Sequence, residues 1–198
     1  MKHSVLGELI HVYDELRSAV KSASVSDQQT FDELAKNLRT RLGCFSPRVT
    51  SCVGEAQAQG VMAPLVFWLD EFTQRHWSCL GLHWPSLQYT EFGRQDGGDA
   101  FFEEATRLLQ SEAPEPLVLV SYLLALREGF EGRYAEQPEL LQSTRVQLAS
   151  RLPEQRRDVR SQRCERLPRA KPAWVVWAPL VGLPLLVQIL FAWAAAIW

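Results

Sequence analysis

Charge is missing from the last 26 residues of this 198-residue chain, Ala173 to Trp198, which read AWVVWAPLVGLPLLVQILFAWAAAIW. A helix crossing a bilayer core of roughly 30 Å needs about 20 mostly apolar residues, and this run is long enough. The lack of a polar face argues against a soluble helix of that length. Its C-terminal position excludes a signal peptide. Pro179 and Pro184 would harm a soluble helix but are tolerated in a membrane one. Trp174 and Trp177 at one end, with Trp193 and Trp198 at the other, fit two interfacial aromatic belts. Gln188 is the one polar side chain, able to bond a neighbouring helix or simply to be tolerated. The expectation is a tail-anchored protein with a body at residues 1–150, a basic juxtamembrane linker at 151–172 and an anchor at 173–198. Gly182 and the small residues of 192–196 would let two such spans approach closely, so a homodimer through the anchor is an open expectation.

Other absences narrow the chemistry. There is no GxxxxGK followed by Ser or Thr, and no GxGxxG, so no phosphate-cradling loop. Neither GxSxG nor HExxH occurs. Cysteine is scarce: Cys44, Cys52, Cys79 and Cys164, with no signal peptide, read as reduced thiols. His76, Cys79 and His83 have the spacing H-x2-C-x3-H, but no fourth ligand is evident and zinc is not expected. No sustained alternating run of β-branched residues occurs, which removes sheet from the reading. The chain reads as a non-enzyme without cofactor or metal.

Charge is divided along the chain. Residues 1–150 hold 13 Lys and Arg against 20 Asp and Glu, a formal −7. Residues 151–171 hold 8 against 3, a formal +5. A basic collar beside a span is retained in the cytoplasm, which puts the body inside. It also suits anionic headgroups. Nucleic acid is the weaker reading of the same charges, and no nucleic-acid partner is expected.

The body reads as all-α, a helical bundle. Val5, Leu9, Val12, Leu16 and Val20 predict a helix over 4–21. Ser26 and Asp27 can cap a second, with Phe31, Leu34, Leu38 and Leu42 on one face and Gly43 at its end. Pro47 can open a third, over 47–59, stopped near Gly60. Further helices are predicted over 62–78, 85–92, from Asp99, over 116–128 and over 138–152.

Asp70 and Glu71 follow Trp68 on an aromatic helix. Adjacent residues point about 100° apart, so the two carboxylates do not converge on one atom, as acid–base catalysis would need. They read either as an acidic recognition spot for a basic partner, or as a polar face in which Asp70 pins the fold.

Four segments, in order, resemble one family. They are Phe67-Trp68-Leu69-Asp70-Glu71; Trp77 with Trp84-Pro85-Ser86-Leu87-Gln88; Gly97-Gly98-Asp99-Ala100-Phe101-Phe102; and Gly129-Phe130-Glu131-Gly132-Arg133-Tyr134. Together with the apolar tail they are similar to the DotU/IcmH family, whose type VI secretion members are called TssL. The resemblance implies two small helical bundles forming a hook. It also implies an inner-membrane complex with a partner of the TssM/IcmF type, and docking to baseplate subunits through the acidic spot at Asp70 and Glu71. The type IVB secretion branch, as a complex stabiliser, is the alternative; a tail-anchored regulator or enzyme is a third class with no motif in its favour. Ending at Trp198, the chain is expected to be the short form, without a peptidoglycan-binding domain. The motifs also have local readings. Gly97 and Gly98 would permit positive φ before a helix that Asp99 caps, and Phe101 and Phe102 would enter the core. Gly129 would end a helix with Phe130 folded back, and Gly132, Arg133 and Tyr134 would complete the turn, Arg133 pairing with Glu128 or Glu131. The chain departs from the family pattern at Arg127-Glu128, at Asp99 where Glu is usual, and at Val66-Phe67-Trp68.

Overall fold

Apolar residues at helical spacing set the elements. In the computed structural model, which describes residues 2–152, the first helix is α1 (Lys2–Ser22). Its core stripe is Val5, Leu9, Tyr13, Leu16 and Val20, with Tyr13 rather than Val12 facing inward. α2 (Gln28–Val53) opens on a capping box: Asp27 accepts the Thr30 N–H at 2.9 Å, and the Thr30 hydroxyl accepts the Asp27 N–H at 3.2 Å.

α2 does not stop at Gly43, and no new helix starts at Pro47. The buried stripe Leu38, Leu42, Phe45, Val49 continues without a break. Ending at Gly43 would strand Phe45 and Val49, each contributing about 1.5–3 kcal/mol by burial. That offsets the roughly 1 kcal/mol of an interior glycine and about 3 kcal/mol of an interior proline. The break comes instead at Gly54, whose φ of +84° is left-handed. α3 (Glu55–Trp77) then runs straight through Gly60 and Pro64. A Cβ on Gly60 would stand 3.2 Å from the Val118 methyls, so glycine is where another helix comes close.

After a 3-10 turn at Ser78–Leu80 come α4 (Leu87–Phe92), α5 (Gly97–Gln110), α6 (Pro116–Arg127), a second 3-10 turn at Gly132–Tyr134, and α7 (Pro138–Ser150). No strand occurs among the described residues. α3 is the common axis, packing against α1, α2, α4, α5 and α6. The core gathers on it: Trp68 stacks against Phe72 and contacts Tyr13, and the Trp68 indole N–H donates to Glu128 O at 3.1 Å.

α6 ends as expected. The Phe130 N–H reaches Ala125 O at 3.0 Å and the Gly129 N–H reaches Leu126 O at 3.2 Å, with Gly129 at φ +95°. That is the Schellman pattern, and it turns Phe130 back into the core. No described helix is long and apolar enough to cross a membrane. The expected anchor at 173–198, and all of the basic linker beyond Arg151 and Leu152, lie outside the described residues.

Candidate functional site: a carboxylate pair that closes a ring of four segments

Asp70 and Glu71 stand near the C-terminal end of α3 and diverge, as neighbours on a helix must. Asp70 is only 1% exposed. One oxygen accepts the Trp84 indole N–H at 2.7 Å and the Leu87 N–H at 2.9 Å. The other accepts the Gln88 N–H at 2.8 Å and the Ser86 hydroxyl at 3.1 Å. The first-turn donors of α4 are thus met by a side chain from another helix, which a six-residue helix could not do alone. Ser86 itself caps by accepting the Tyr89 N–H at 3.3 Å.

Glu71 does the same work on the opposite side. Its two oxygens accept the Glu131 N–H at 3.0 Å and the Gly132 N–H at 2.8 Å. Arg75, one turn on, pairs with Glu71, reaches Glu131 at 3.3 Å and donates to Gly129 O at 3.4 Å.

The two captured segments meet around α5. Gln88, held by Asp70 through its backbone, accepts the Gly97 N–H on its side-chain oxygen at 2.8 Å. A Cβ on Gly97 would fall 2.2 Å from that oxygen and 2.7 Å from the Phe67 ring. A Cβ on Gly98 would stand 3.3 Å from Gly132 Cα, and one on Gly132, at φ +50°, 3.1 Å from Gly98 Cα. Gly132 returns to Glu71. The four sequence segments therefore close one ring through residues 70, 88, 97–98, 132 and 71. Phe101, Phe102, Phe130 and Tyr134 fill it: Phe101 lies 4.5 Å from Phe130 and Phe102 lies 4.2 Å from Tyr134.

Three local expectations change. Gly97 and Gly98 lie within α5, at its start, and neither has positive φ; they are glycines because another chain segment touches them. Asp99 is not the cap. Asp96 holds that position, and Asp99 sits in the first turn beside Arg133 at 3.6 Å. Arg133 pairs with neither Glu128 nor Glu131. Its guanidinium lies over Phe102 and Tyr134, while Glu128 is taken by Arg17 and Glu131 by Arg75. The spacing of the sequence offers no route to the Gln88 contact, 9 residues away, or to the Arg75 contacts with Gly129 and Glu131, 54 and 56 residues away; only the Arg75–Glu71 pair is local.

Of the other candidates, His76 stacks on Phe72, Cys79 is exposed, and the His83 backbone is held by the Gln28 amide. No group of three or more ligand-type side chains able to hold a metal occurs among the described residues.

Burial pushes the carboxyls of both Asp70 and Glu71 above their ordinary range, and the N–H groups they accept pull back without overcoming it. For Glu71, Arg75 also lowers and Glu131 raises. The folded protein then holds these protons more tightly than the unfolded chain. That contribution to stability is complete below the unfolded values, near about pH 4, and is lost as pH rises through the raised ones. The urea midpoint should therefore rise as pH is lowered from about 7 to about 5, and the slope should shrink in Glu71→Gln. A slope unchanged by that substitution would contradict the assignment.

Chemically the pair is a fastener. Asp70 is saturated by four donors, and both Glu71 oxygens are committed to backbone. The folds of two solved structures resemble this one. DotU from Francisella novicida aligns with a TM-score of 0.62 at 18% identity, covering 72% of this chain and 97% of that one. The type VI secretion protein SciP/TssL from enteroaggregative Escherichia coli 042 aligns with a TM-score of 0.56 at 20% identity, covering 76% of this chain and 89% of that one. No curated protein sequence matches this chain. The model of the family described as type VI secretion system protein DotU matches residues 6–197. A match over nearly the whole length, on a chain with this fold, means that the chain belongs to the DotU family of type VI secretion system proteins.

Proposed function

We propose that this chain is a structural subunit of the inner-membrane complex of a type VI secretion system. It is held by a single span at 173–198, with residues 1–150 in the cytoplasm. There it pairs with an inner-membrane protein of the TssM/IcmF type and docks baseplate subunits. The observation that carries the reading is the join of a −7 helical body to a +5 collar and a charge-free run, within a chain of this family. Of the two carboxylates, Glu71 alone keeps appreciable solvent contact, its side chain 24% exposed. A direct contact with a basic partner falls to Glu71, while Asp70 acts from inside by shaping the surface around it.

Removing residues 173–198 tests the tether. A tether raises the effective concentration of weak contacts, so its loss should abolish assembly without unfolding the body. In a strain lacking the native gene, the full chain should restore secretion. A chain ending at residue 172 should not, though its circular dichroism stays helical. Full secretion by the shortened chain would overturn the proposal.

A further inference from the structure

The N-terminal half of α3 is not fully covered: α2 lies on one side of it and α5 on the other. Between them runs a trough of about 610 Å3, continuous with a second hollow of about 240 Å3 through shared Gln59, Glu91 and Phe92. From Ala56 to Phe67 the α3 wall runs roughly 16 Å, about three helical turns. Small side chains, Ala56, Ala63 and Ala100, leave it open. The charged side chains along both hollows are four carboxylates, Glu55, Glu91, Glu103 and Glu104, against two guanidiniums, Arg94 and Arg107. Arg94 pairs with the two oxygens of Asp96 at 2.7 and 2.9 Å, Arg107 with Glu104, and Glu91 with Arg39 at 3.6 Å, so with these partners counted the acidic excess remains two.

A second observation points into the same space. Tyr122 lines the trough, and its hydroxyl, which keeps contact with that space, has no hydrogen-bond partner among the described residues. The charges that reach the hydroxyl are those of Glu104, Arg107 and Arg94, all of them trough residues. Burial pushes its pKa up, so it remains a neutral donor and acceptor. A hydroxyl open to the trough can donate to or accept from a ligand group.

We propose that this trough seats a short, basic amphipathic helix of a partner protein. Its lysines or arginines face Glu91, Glu103 and Glu104, its apolar stripe covers Ala56, Ala63 and Phe92, and a polar group on it meets the Tyr122 hydroxyl. The proposal rests on the reading of the body as a docking subunit. Three turns of helix match the length of the wall, and the small floor permits close approach. The acidic excess sets the sign of the partner.

The probe is a labelled 16-residue helical peptide with an Ala/Leu stripe flanked by lysines, and a twin with glutamates in their place. Each is titrated against the full chain in zwitterionic nanodiscs. The lysine peptide should bind at least about tenfold more tightly than its twin. Glu103→Lys with Glu104→Lys should weaken it by about tenfold or more with no change in melting temperature. Tyr122→Phe should weaken it by a few fold. Ala63→Trp, which fills the trough, should block it and also abolish secretion. Equal binding of the two peptides, no binding of either, or indifference to the charge reversal would overturn the proposal. So would self-association of the chain that buries the trough. If the charge-reversed and Ala63→Trp chains secrete normally while the chain ending at residue 172 does not, the trough is wrong and the docking reading stands.

Discussion

Asp70→Ala should lower the melting temperature of the body by about 6–20 °C. The substitution leaves the Trp84 indole N–H and the Leu87 N–H buried without an acceptor, and the Gln88 N–H half-buried. Each stranded buried donor costs about 1–3 kcal/mol, and the costs are not additive, so about 3–5 kcal/mol is expected. At roughly 2–4 °C per kcal/mol for a body of this size, the shift is large and easily read. Asp70→Asn should fall between, because one carbonyl oxygen still accepts while the new amide faces donors. A solvated recognition carboxylate would behave oppositely, with normal melting and lost partner binding. An Asp70→Ala protein that melts within about 1 °C of wild type would therefore remove Asp70 from the framework, given ordinary surface effects of about 0.5 kcal/mol.

Gly132→Val should cost about 3–4 kcal/mol. The residue sits at φ +50°, where an L side chain is strained by about 1–2 kcal/mol, and a β-branched one by more. A Cβ there would also lie 3.1 Å from Gly98 Cα, from the Phe102 ring and from the Phe130 ring. Neither α5 nor the buried rings can yield without moving the core, which is the overpacking case at about 1–3 kcal/mol. Gly129→Ala supplies the control. Gly129 has φ +95° but nothing within 4 Å of a built Cβ, so only the conformational strain of about 1–2 kcal/mol applies. Urea denaturation of the two variants separates backbone strain from contact. Equal losses would mean that the close approach of Gly98 and Gly132 contributes nothing.

What could be read in advance was whatever depends on near neighbours. Most of the α1 stripe, the first half of the α2 stripe, the cap at Asp27 and the helix end at Gly129 all involve residues within five positions of one another. What could not be read depends on distant partners. Gly43 and Pro47 look like a helix end and a helix start, and only the core waiting for Phe45 and Val49 overrides them. Gly97 and Gly98 look like turn residues, but their cause is Gln88 on one side and Gly132 on the other. Arg133 has acidic neighbours in sequence, yet those are already taken by Arg17 and Arg75, arriving from other helices. The Asp70–Glu71 pair is the sharpest case. Its divergence follows from helix geometry, whereas the seven groups it holds arrive from 14 to 18, 60 and 61 residues along the chain, with Arg75 alone nearby. Of those seven the structure assigns four to Asp70 and three to Glu71, a division between burial and partial exposure that adjacent acidic residues do not reveal in sequence.

The four segments form one mechanically continuous ring fastened by two carboxylates. Residue-resolved amide hydrogen exchange tests it most directly. In the wild-type protein the N–H groups of Leu87, Gln88, Gly97, Glu131 and Gly132 should be protected, although most lie in short turns or at helix starts that would otherwise exchange quickly. Asp70→Asn should deprotect Leu87 and Gln88 first. Because Gln88 holds Gly97, and Gly98 abuts Gly132, protection should also fall at Gly97 and Gly132, while α1 and the first half of α2 stay unchanged. Fast exchange at these amides in the wild type, or deprotection in the variant that stops at Gln88, would contradict the ring.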